Sequence, residues 1–222
     1  MIIEVLQVGP FQSNCVILAD HKTRQATVID PGDDAPDILA FLKDEKLTVS
    51  HLLLTHGHID HIAACGELAR EMNAKICLHQ DDEQLFDGLK DQARQFGVAV
   101  RGEHNTVDHY LKDGEALITQ EGLTLKVLHT PGHSPGSVCF YADDFTLTSP
   151  KGIIEHIPLL CCGDTLFLGS IGRTDLWGGD HRALISGVKN KIFTLPDDTL
   201  VIPGHGPTTS VGQEKATNSF FQ

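Results

Sequence analysis

The sequence contains few basic residues for its size. Lysine and arginine together number 17, against 30 aspartates and glutamates, which gives a formal net charge of −13 at pH 7. Proteins bind nucleic acid largely by neutralising phosphates with Lys and Arg, and anionic membrane surfaces attract clusters of the same residues. An acidic chain without a basic run is therefore expected to bind neither nucleic acid nor a membrane.

The sequence also lacks segments that would direct it into or across a membrane. No apolar run approaches the roughly 18 to 20 residues that span a bilayer. Residues 1–5 contain neither the basic stretch nor the long apolar core of a signal peptide. Six cysteines occur without a Cys-x-x-Cys pair, mostly inside apolar runs, which favours reduced, buried thiols over a disulfide framework. These features predict a cytoplasmic protein.

What remains is the composition of an ordinary globular protein. Of the 222 residues, 41% are hydrophobic and 21% are charged, enough for a substantial core. No low-complexity linker and no tandem repeat divides the chain. We therefore predict a single domain over residues 1–222, and a monomer is the favoured oligomeric state.

Strand-like and helix-like segments alternate in both halves of the sequence. Apolar runs of strand length are expected at residues 2–6, 15–18, 26–29, 49–54, 75–78, 123–128, 137–141, 157–162 and 199–202. Helical patterns are expected at residues 37–45, 62–72, 82–96 and 182–192. The alternation predicts an α/β fold, a sandwich of two β-sheets flanked by helices. Residues 143–156 exceed what a hairpin needs, so we expect either a loop over the pocket or an exposed insertion.

One stretch concentrates the chemistry of the chain. The sequence T-H-G-H-I-D-H occupies residues 55–61, at the exit of a predicted buried strand. His56 and His58 are two residues apart across a glycine and can converge on one metal ion. Asp60 and His61 are adjacent at the start of a helix, where neighbouring side chains diverge by roughly 100°. That divergence favours two neighbouring ions over a single one.

Other residues able to bind metal also follow predicted strands, each beside or close to a glycine. Ligands on tight turns at strand ends can point into one crevice of an α/β protein. They are Asp30, which precedes Pro31 and Gly32, and four residues directly beside a glycine: His56, His133, Asp164 and His205.

These residues can be divided between two metal ions. The first ion takes His56, His58 and His133, the second takes Asp60, His61 and His205, and Asp164 bridges both. Imidazole and carboxylate suit zinc, the favoured metal, with iron or manganese as alternatives. Two cations roughly 3.5 Å apart lower the pKa of a shared water and supply a bridging hydroxide. The pattern thus predicts metal-assisted hydrolysis, with Asp60 as the catalytic candidate.

Four motifs taken together resemble the metallo-β-lactamase superfamily. They are T-H-G-H-I-D-H at 55–61, T-P-G-H-S-P-G at 130–136, G-D at 163–164 and P-G-H-G at 203–206. Within that superfamily, G-S-I-G-R-T-D at 169–175 is similar to short bacterial proteins of the glyoxalase II type. The resemblance implies an αββα fold with two mixed sheets and the two-metal division given above. It also implies hydrolysis of a small-molecule thioester such as S-D-lactoylglutathione, as in methylglyoxal detoxification.

The chain departs from the longer glyoxalase II enzymes in two respects. Those enzymes carry a helical carboxyl-terminal extension that contacts glutathione, whereas about seventeen residues follow His205 here. Their substrate-contacting tyrosines have no obvious counterpart, since the only tyrosines are Tyr110 and Tyr141. Thioester hydrolysis is the expectation, and glutathione as the thiol is left open.

The superfamily also supplies the alternative functions. Persulfide dioxygenases share G-R-T-D and use a single iron, held by residues matching His56, His133 and Asp164. The P-G-H-G context of His205 favours the two-metal hydrolase over that oxygenase. The G-D pair at 163–164 argues against β-lactam hydrolysis, because true metallo-β-lactamases do not use a bridging aspartate.

Two further residues have candidate roles near the metals. Arg173 is the candidate for substrate binding, since guanidinium binds carboxylates in a bidentate manner, although it can also pair with Asp175. Asp30 can orient a metal-binding histidine or simply form a turn before Pro31. Cys161 and Cys162 precede Asp164 and are expected to be core residues rather than ligands.

Overall fold

The computed structural model describes residues 1–100, 106–120, 122–149 and 152–222. Within these ranges the first half of the chain forms a six-stranded sheet. Strands β1 to β3 pair antiparallel, whereas β3 to β6 pair in parallel, so the sheet is mixed. In spatial order, which is also chain order, its strands are β1 Ile2–Val8, β2 Ser13–Ala19, β3 Gln25–Ile29, β4 Thr48–Leu53, β5 Lys75–His79 and β6 His109–Leu111.

The second half forms another mixed sheet of six strands in the order β14-β13-β10-β9-β8-β7. Within the described residues, β10 and β13 pair in parallel, and the other neighbouring strands of this sheet pair antiparallel. A two-stranded ribbon, β11 with β12, lies outside it. The strands are β7 Ala116–Gln120, β8 Leu123–His129, β9 Val138–Ser149, β10 Gly152–Gly163, β11 Leu166–Phe167, β12 Ser170–Ile171, β13 Leu200–Pro203 and β14 Thr209–Ser210.

The helices connect the strands and cover the outer faces of the sheets. A π-helical segment, Val188–Ile192, continues α6, and 3₁₀ turns occupy Gln80–Asp82 and Ser219–Phe221. The α-helices are α1 Ala35–Asp44, α2 Ile59–Ile62, α3 Cys65–Met72, α4 Glu83–Asp87, α5 Leu89–Phe96, α6 His181–Gly187 and α7 Val211–Thr217. Among the described residues, none of these helices combines the length and apolarity that spanning a bilayer demands.

Three layers of buried apolar side chains separate the four layers of structure. Ile38 and Leu42 of α1 pack with one face of the first sheet. Leu18 of the first sheet and Val127 of the second belong to the layer between the sheets. Leu184 of α6 packs with the opposite face of the second sheet. This helix–sheet–sheet–helix order confirms the predicted αββα sandwich. That residues 1–222 form a single domain stays a prediction.

Several predicted elements differ from the structure: the helix expected over 62–72 is divided into α2 and α3, and strands β6 and β7 have no counterpart among the expected elements. Residues 143–149 and 152–156 are not a loop, because they extend β9 and β10 into a long antiparallel hairpin with shifts of register. Residues 150 and 151 lie outside the described part of the chain. The single helix expected over 82–96 is interrupted near Gly88, which caps α4 and precedes α5.

Candidate metal centre

The seven predicted ligands lie together at one edge of the sandwich. His56 and His58 follow β4, and Asp60 and His61 lie in α2. The other three come from the second half of the chain, one after each of β8, β10 and β13. They are His133, Asp164 and His205.

Three imidazoles form the first group, which we call the histidine triad: His56, His58 and His133. Nε2 of His133 lies 3.2 Å from Nε2 of His56 and 2.9 Å from Nδ1 of His58. All three side chains are buried. Burial, assisted by the neighbouring imidazoles, lowers the pKa of His58 to about 3 and holds the pKa of His56 well below its ordinary value. These two rings are therefore neutral at physiological pH, as metal binding would require.

The second group, the acidic triad, contains Asp60, His61 and His205. Oδ2 of Asp60 lies 3.1 Å from Nε2 of His205 and 3.5 Å from Nε2 of His61. Burial opposes protonation of His61, but Asp60, Asp164 and Asp30 outweigh it and raise its pKa to about 10. The pKa of His205 is also raised, because its bond to Asp60 and the field of Asp164 overcome burial. The two triads thus differ in their affinity for protons.

Asp164 joins the triads. Its Oδ1 lies 3.5 Å from Nε2 of His61, and its Oδ2 lies 3.5 Å from Nε2 of His133. Oδ2 is also 3.6 Å from Nε2 of His205. A Cβ added at Gly204 would lie 2.2 Å from Oδ1 of Asp164, so a glycine is needed for this close approach.

The donor atoms fit a pair of divalent cations. Nε2 of His61 and Oδ1 of Asp164 are buried and lack a hydrogen-bond partner within the described residues. A buried polar atom without a partner costs about 1–3 kcal/mol, which a cation between the two atoms would offset. Nitrogen and carboxylate oxygen are the donors that zinc, iron and manganese accept.

Asp30 fixes the orientation of His61. Its Oδ2 accepts a hydrogen bond from Nδ1 of His61 at 3.0 Å, which directs Nε2 of that ring toward the acidic triad. The amide and the hydroxyl of Thr55 donate to the same carboxylate at 2.7 and 2.6 Å. The Thr55 hydroxyl is also 3.0 Å from Nδ1 of His56. Of the two roles considered for Asp30, the geometry favours orienting a histidine.

Sequence reasoning missed Asp82, which supports the histidine triad by binding the two loops that carry it. This buried carboxylate accepts hydrogen bonds from the amide of Gly57 at 2.8 Å and the amide of Gly136 at 2.6 Å. It also accepts one from the hydroxyl of Ser134 at 2.7 Å. Asp82 therefore ties the loop of His56 and His58 to the loop of His133. In the sequence it resembles any acidic residue in a first helical turn, and no local signal marks it as buried.

Backbone carbonyls orient two more of the predicted ligands. Nδ1 of His133 donates to the carbonyl of Arg173 at 2.8 Å, and Nδ1 of His205 donates to the carbonyl of Phe11 at 3.2 Å. Both bonds leave Nε2 facing the ligand cluster. Two loops distant in sequence are thereby attached to opposite triads.

The centre opens into a pocket of about 200 Å³. The guanidinium of Arg173 is exposed there and binds Asp175 through Nε and Nη2, at 2.7 and 2.8 Å. Arg173 lowers the pKa of Asp175 to about 2. The pocket is lined by Phe11, His58, Ile59, Asp60, Phe96, His133, Asp164, Arg173, Leu176 and His205.

A further histidine pair lies outside the centre. The rings of His79 and His129 stack with centroids 4.0 Å apart, and Asp81 lies beside them. Nδ1 of His79 already accepts a bond from the amide of Asp81, and Nε2 of His129 donates to the carbonyl of Pro135. The pair packs behind the loop of His133, and its separation in sequence explains why no motif predicted it.

Known proteins resemble the chain over its whole length. The family model of the metallo-β-lactamase superfamily matches residues 8–145. Hydroxyacylglutathione hydrolase GloC of Haemophilus influenzae is 36% identical over 100% of this chain and 98% of its own. The crystal structure of the BLEG-1 B3 metallo-β-lactamase has a TM-score of 0.85 and 36% identity, covering 99% of each chain. TTHA1623, solved in a di-iron-bound form, has a TM-score of 0.82 and 35% identity, covering 98% of this chain and 99% of that one. These matches confirm the resemblance inferred from the motifs: the chain belongs to the metallo-β-lactamase superfamily.

Proposed function

We propose that this protein is a dinuclear metal-dependent hydrolase that cleaves a thioester, with S-D-lactoylglutathione as the favoured substrate. The observation that carries the proposal is the position of Asp164, whose two oxygens face both triads. Similarity to the hydroxyacylglutathione hydrolase of Haemophilus influenzae supports the choice of thioester. Zinc is the metal we favour, and the di-iron form of TTHA1623 supports iron as the alternative.

Each of the candidate site residues has a role in the proposed chemistry. His56, His58 and His133 would hold one ion, Asp60, His61 and His205 the other, and Asp164 would bridge them. When bound, such a pair supplies Lewis-acid activation of water and of the thioester carbonyl. Asp60 keeps its carboxylate ionised, since its pKa is held well below the ordinary value by His61 and His205 despite burial. Its oxygens can accept a hydrogen bond from the attacking water and so orient it. Arg173 can bind a carboxylate of the thiol half.

The experiment combines elemental analysis with substrate turnover. We expect two divalent ions per chain and hydrolysis of S-D-lactoylglutathione, measured by release of free thiol. A β-lactam is tested on the same samples, with ring opening followed by ultraviolet absorbance, because a B3 metallo-β-lactamase is among the similar structures. Hydrolysis of the β-lactam without thioester turnover would overturn the proposal.

The mononuclear iron oxygenase is tested by the same samples. In that alternative His205 would bind no ion, so the His205→Ala variant would keep its full metal content and activity. One iron per chain, together with oxygen uptake on glutathione persulfide, would replace the hydrolase with the oxygenase.

The proposal includes a cytoplasmic monomer that acts on a small molecule. All six cysteines are free and buried, which suits a reducing compartment. Light scattering of the purified protein measures the oligomeric state, and cell fractionation measures the location.

A further inference from the structure

Two phenylalanines lie unusually exposed at the mouth of the pocket. Phe11 and Phe96 retain 42% and 43% of their accessible surface, and their rings meet edge to face with centroids 5.9 Å apart. Phe96 is the last residue of α5, and Gly97, at φ 68°, ends the helix behind it. Large apolar side chains that stay exposed beside a polar centre indicate a surface that binds a ligand.

The pocket lining has two chemically different sides. Phe11 and Phe96, together with Ile59 and Leu176, contribute apolar surface. Arg173 contributes a cation, and Asp175 occupies two of its five N–H donors, which leaves three for a ligand. A pocket of this kind can bind one molecule that is apolar at one end and anionic at the other.

Hydrogen bonds fix each side relative to the triads. Phe11 accepts the Nδ1–H of His205 at its carbonyl, so this pocket-lining residue is attached beside the acidic triad. Arg173 accepts the Nδ1–H of His133 in the same way, so this pocket-lining residue is attached beside the histidine triad. The apolar and the cationic surface therefore belong to opposite metal positions.

From this arrangement we infer that the pocket orients its substrate by polarity and selects thioesters with a bulky apolar acyl group. The acyl group packs on Phe11 and Phe96 beside the acidic triad, and a carboxylate of the thiol half binds Arg173 beside the histidine triad. The acyl half is assigned to the phenylalanines because the thiol half of the proposed substrates carries the carboxylates. This inference rests on the proposed thioester hydrolysis and goes beyond it in naming the acyl class.

The test compares two thioesters of the same thiol. S-mandeloylglutathione and S-lactoylglutathione share a 2-hydroxyacyl group and differ by a phenyl ring in place of a methyl group. We expect the wild type to prefer the mandeloyl thioester in kcat/KM by about tenfold or more, as hydrophobic pockets discriminate. The Phe96→Ala and Phe11→Ala variants should lose this preference, and Phe96→Leu should retain most of it.

Two controls separate the ends of the substrate. Phe220→Ala removes another exposed phenylalanine, 47% accessible and outside this pocket, and should leave the preference unchanged. Arg173→Gln should lower kcat/KM for the glutathione thioesters but not for N-acetylcysteamine thioesters, which carry no carboxylate. Equal loss on both thiols would contradict the assignment of Arg173 to the anionic end.

Binding distinguishes failure of this inference from failure of the proposed function. S-benzylglutathione and S-methylglutathione are thioethers that cannot be hydrolysed, and calorimetry gives their affinities without turnover. Trp177, the only tryptophan of the chain, is 52% exposed beside Leu176 and offers a fluorescence signal. Tighter binding of the benzyl compound that disappears in Phe96→Ala supports the inference even if no thioester is cleaved. Thioester turnover with equal efficiency on both acyl groups, unchanged in Phe96→Ala, would overturn the inference and leave the hydrolase proposal standing.

Discussion

The two triads are built from similar residues but have opposite electrostatic character. In the histidine triad, burial holds His56 and His58 neutral, with the pKa of His58 lowered to about 3. In the acidic triad, neighbouring carboxylates raise the pKa of His61 to about 10. A cation bound as proposed would meet neutral nitrogens at one position, and at the other it would meet a carboxylate beside a ring that prefers to hold a proton. The difference predicts two metal positions that respond differently to pH and to mutation.

The triads are also supported by different devices. Asp82 stabilises the histidine triad by connecting two loops through backbone amides, with no contact to a ligand ring. Asp30 stabilises the acidic triad by a direct bond to one of its members, His61. Damage to Asp82 should therefore affect folding first, whereas damage to Asp30 should affect metal affinity first.

The largest effect is expected at Asp164, the residue that the two triads share. Asp164→Ala removes both oxygens that face the two ion positions. Lewis-acid stabilisation is worth several kcal/mol, so we expect kcat/KM to fall by about 1000-fold or more. Elemental analysis should show loss of metal from both positions. Asp198→Ala, an exposed aspartate elsewhere in the second half, is the matched control. Wild-type turnover in Asp164→Ala would refute the two-metal centre.

Asp82→Ala should produce the largest loss of stability. The variant leaves the amides of Gly57 and Gly136 buried without an acceptor, which costs about 3 kcal/mol in the free energy of unfolding. Denaturant unfolding measures the change. Asp81→Ala removes the neighbouring carboxylate, whose side chain is 57% exposed, and should change stability far less. Equal losses in the two variants would show that the three bonds to Asp82 contribute nothing specific.

These supports mark the limit of what the sequence could predict. His56, His58, Asp60 and His61 lie within six positions after an apolar run, so their convergence follows from local geometry. His133, Asp164 and His205 were found because each lies beside a glycine at a strand end. Asp82 carries no such signal, because only the tertiary fold brings it under Gly57 and Gly136.

The same limit explains the errors in secondary structure. The sequence predicts shorter strands than β9 and β10, because residues 143–156 contain charged and turn-forming residues. In the structure, pairing between the two strands extends them. The short strands β11, β12 and β14 were missed because two residues show no periodicity. Pairing with a neighbour, rather than local propensity, defines such strands.

Asp30→Asn should weaken one metal position more than the other. The oxygen of the asparagine side chain can still accept the bond from the Thr55 amide. Its NH2 group cannot accept a bond from Nδ1 of His61, so that ring loses its fixed orientation. Removing such a partner typically lowers metal affinity by about 10- to 100-fold. We expect this loss at the second ion, and a smaller one at the first, which Asp30 reaches only through the Thr55 hydroxyl. Stepwise chelator competition measures both affinities, and an equal loss at both would contradict the comparison.

The smallest expected effect is a difference in pH dependence between the two positions. With its pKa at about 10, His61 holds a proton at pH 7, and a cation that binds the acidic triad must displace it. Rising pH removes the competing proton, so affinity at this position should increase by about tenfold per pH unit from pH 7 toward 9. His56 and His58 have already lost their protons at pH 7, so these two rings add no pH dependence at the histidine triad over the same range.

Calorimetry in buffers of different ionisation enthalpy counts the protons released with each ion. After removal of metal by a chelator, protonation of His61 stabilises the fold fully below its unfolded pKa of about 6.5. That stabilisation is lost as pH rises through about 10, because the raised pKa belongs to the folded state alone. Two ions that release equal numbers of protons would show that the carboxylates around His61 do not distinguish the triads. At least one proton released with the second ion, from His61 and in part from His205, and fewer with the first, would establish the electrostatic difference on which the division of ligands depends.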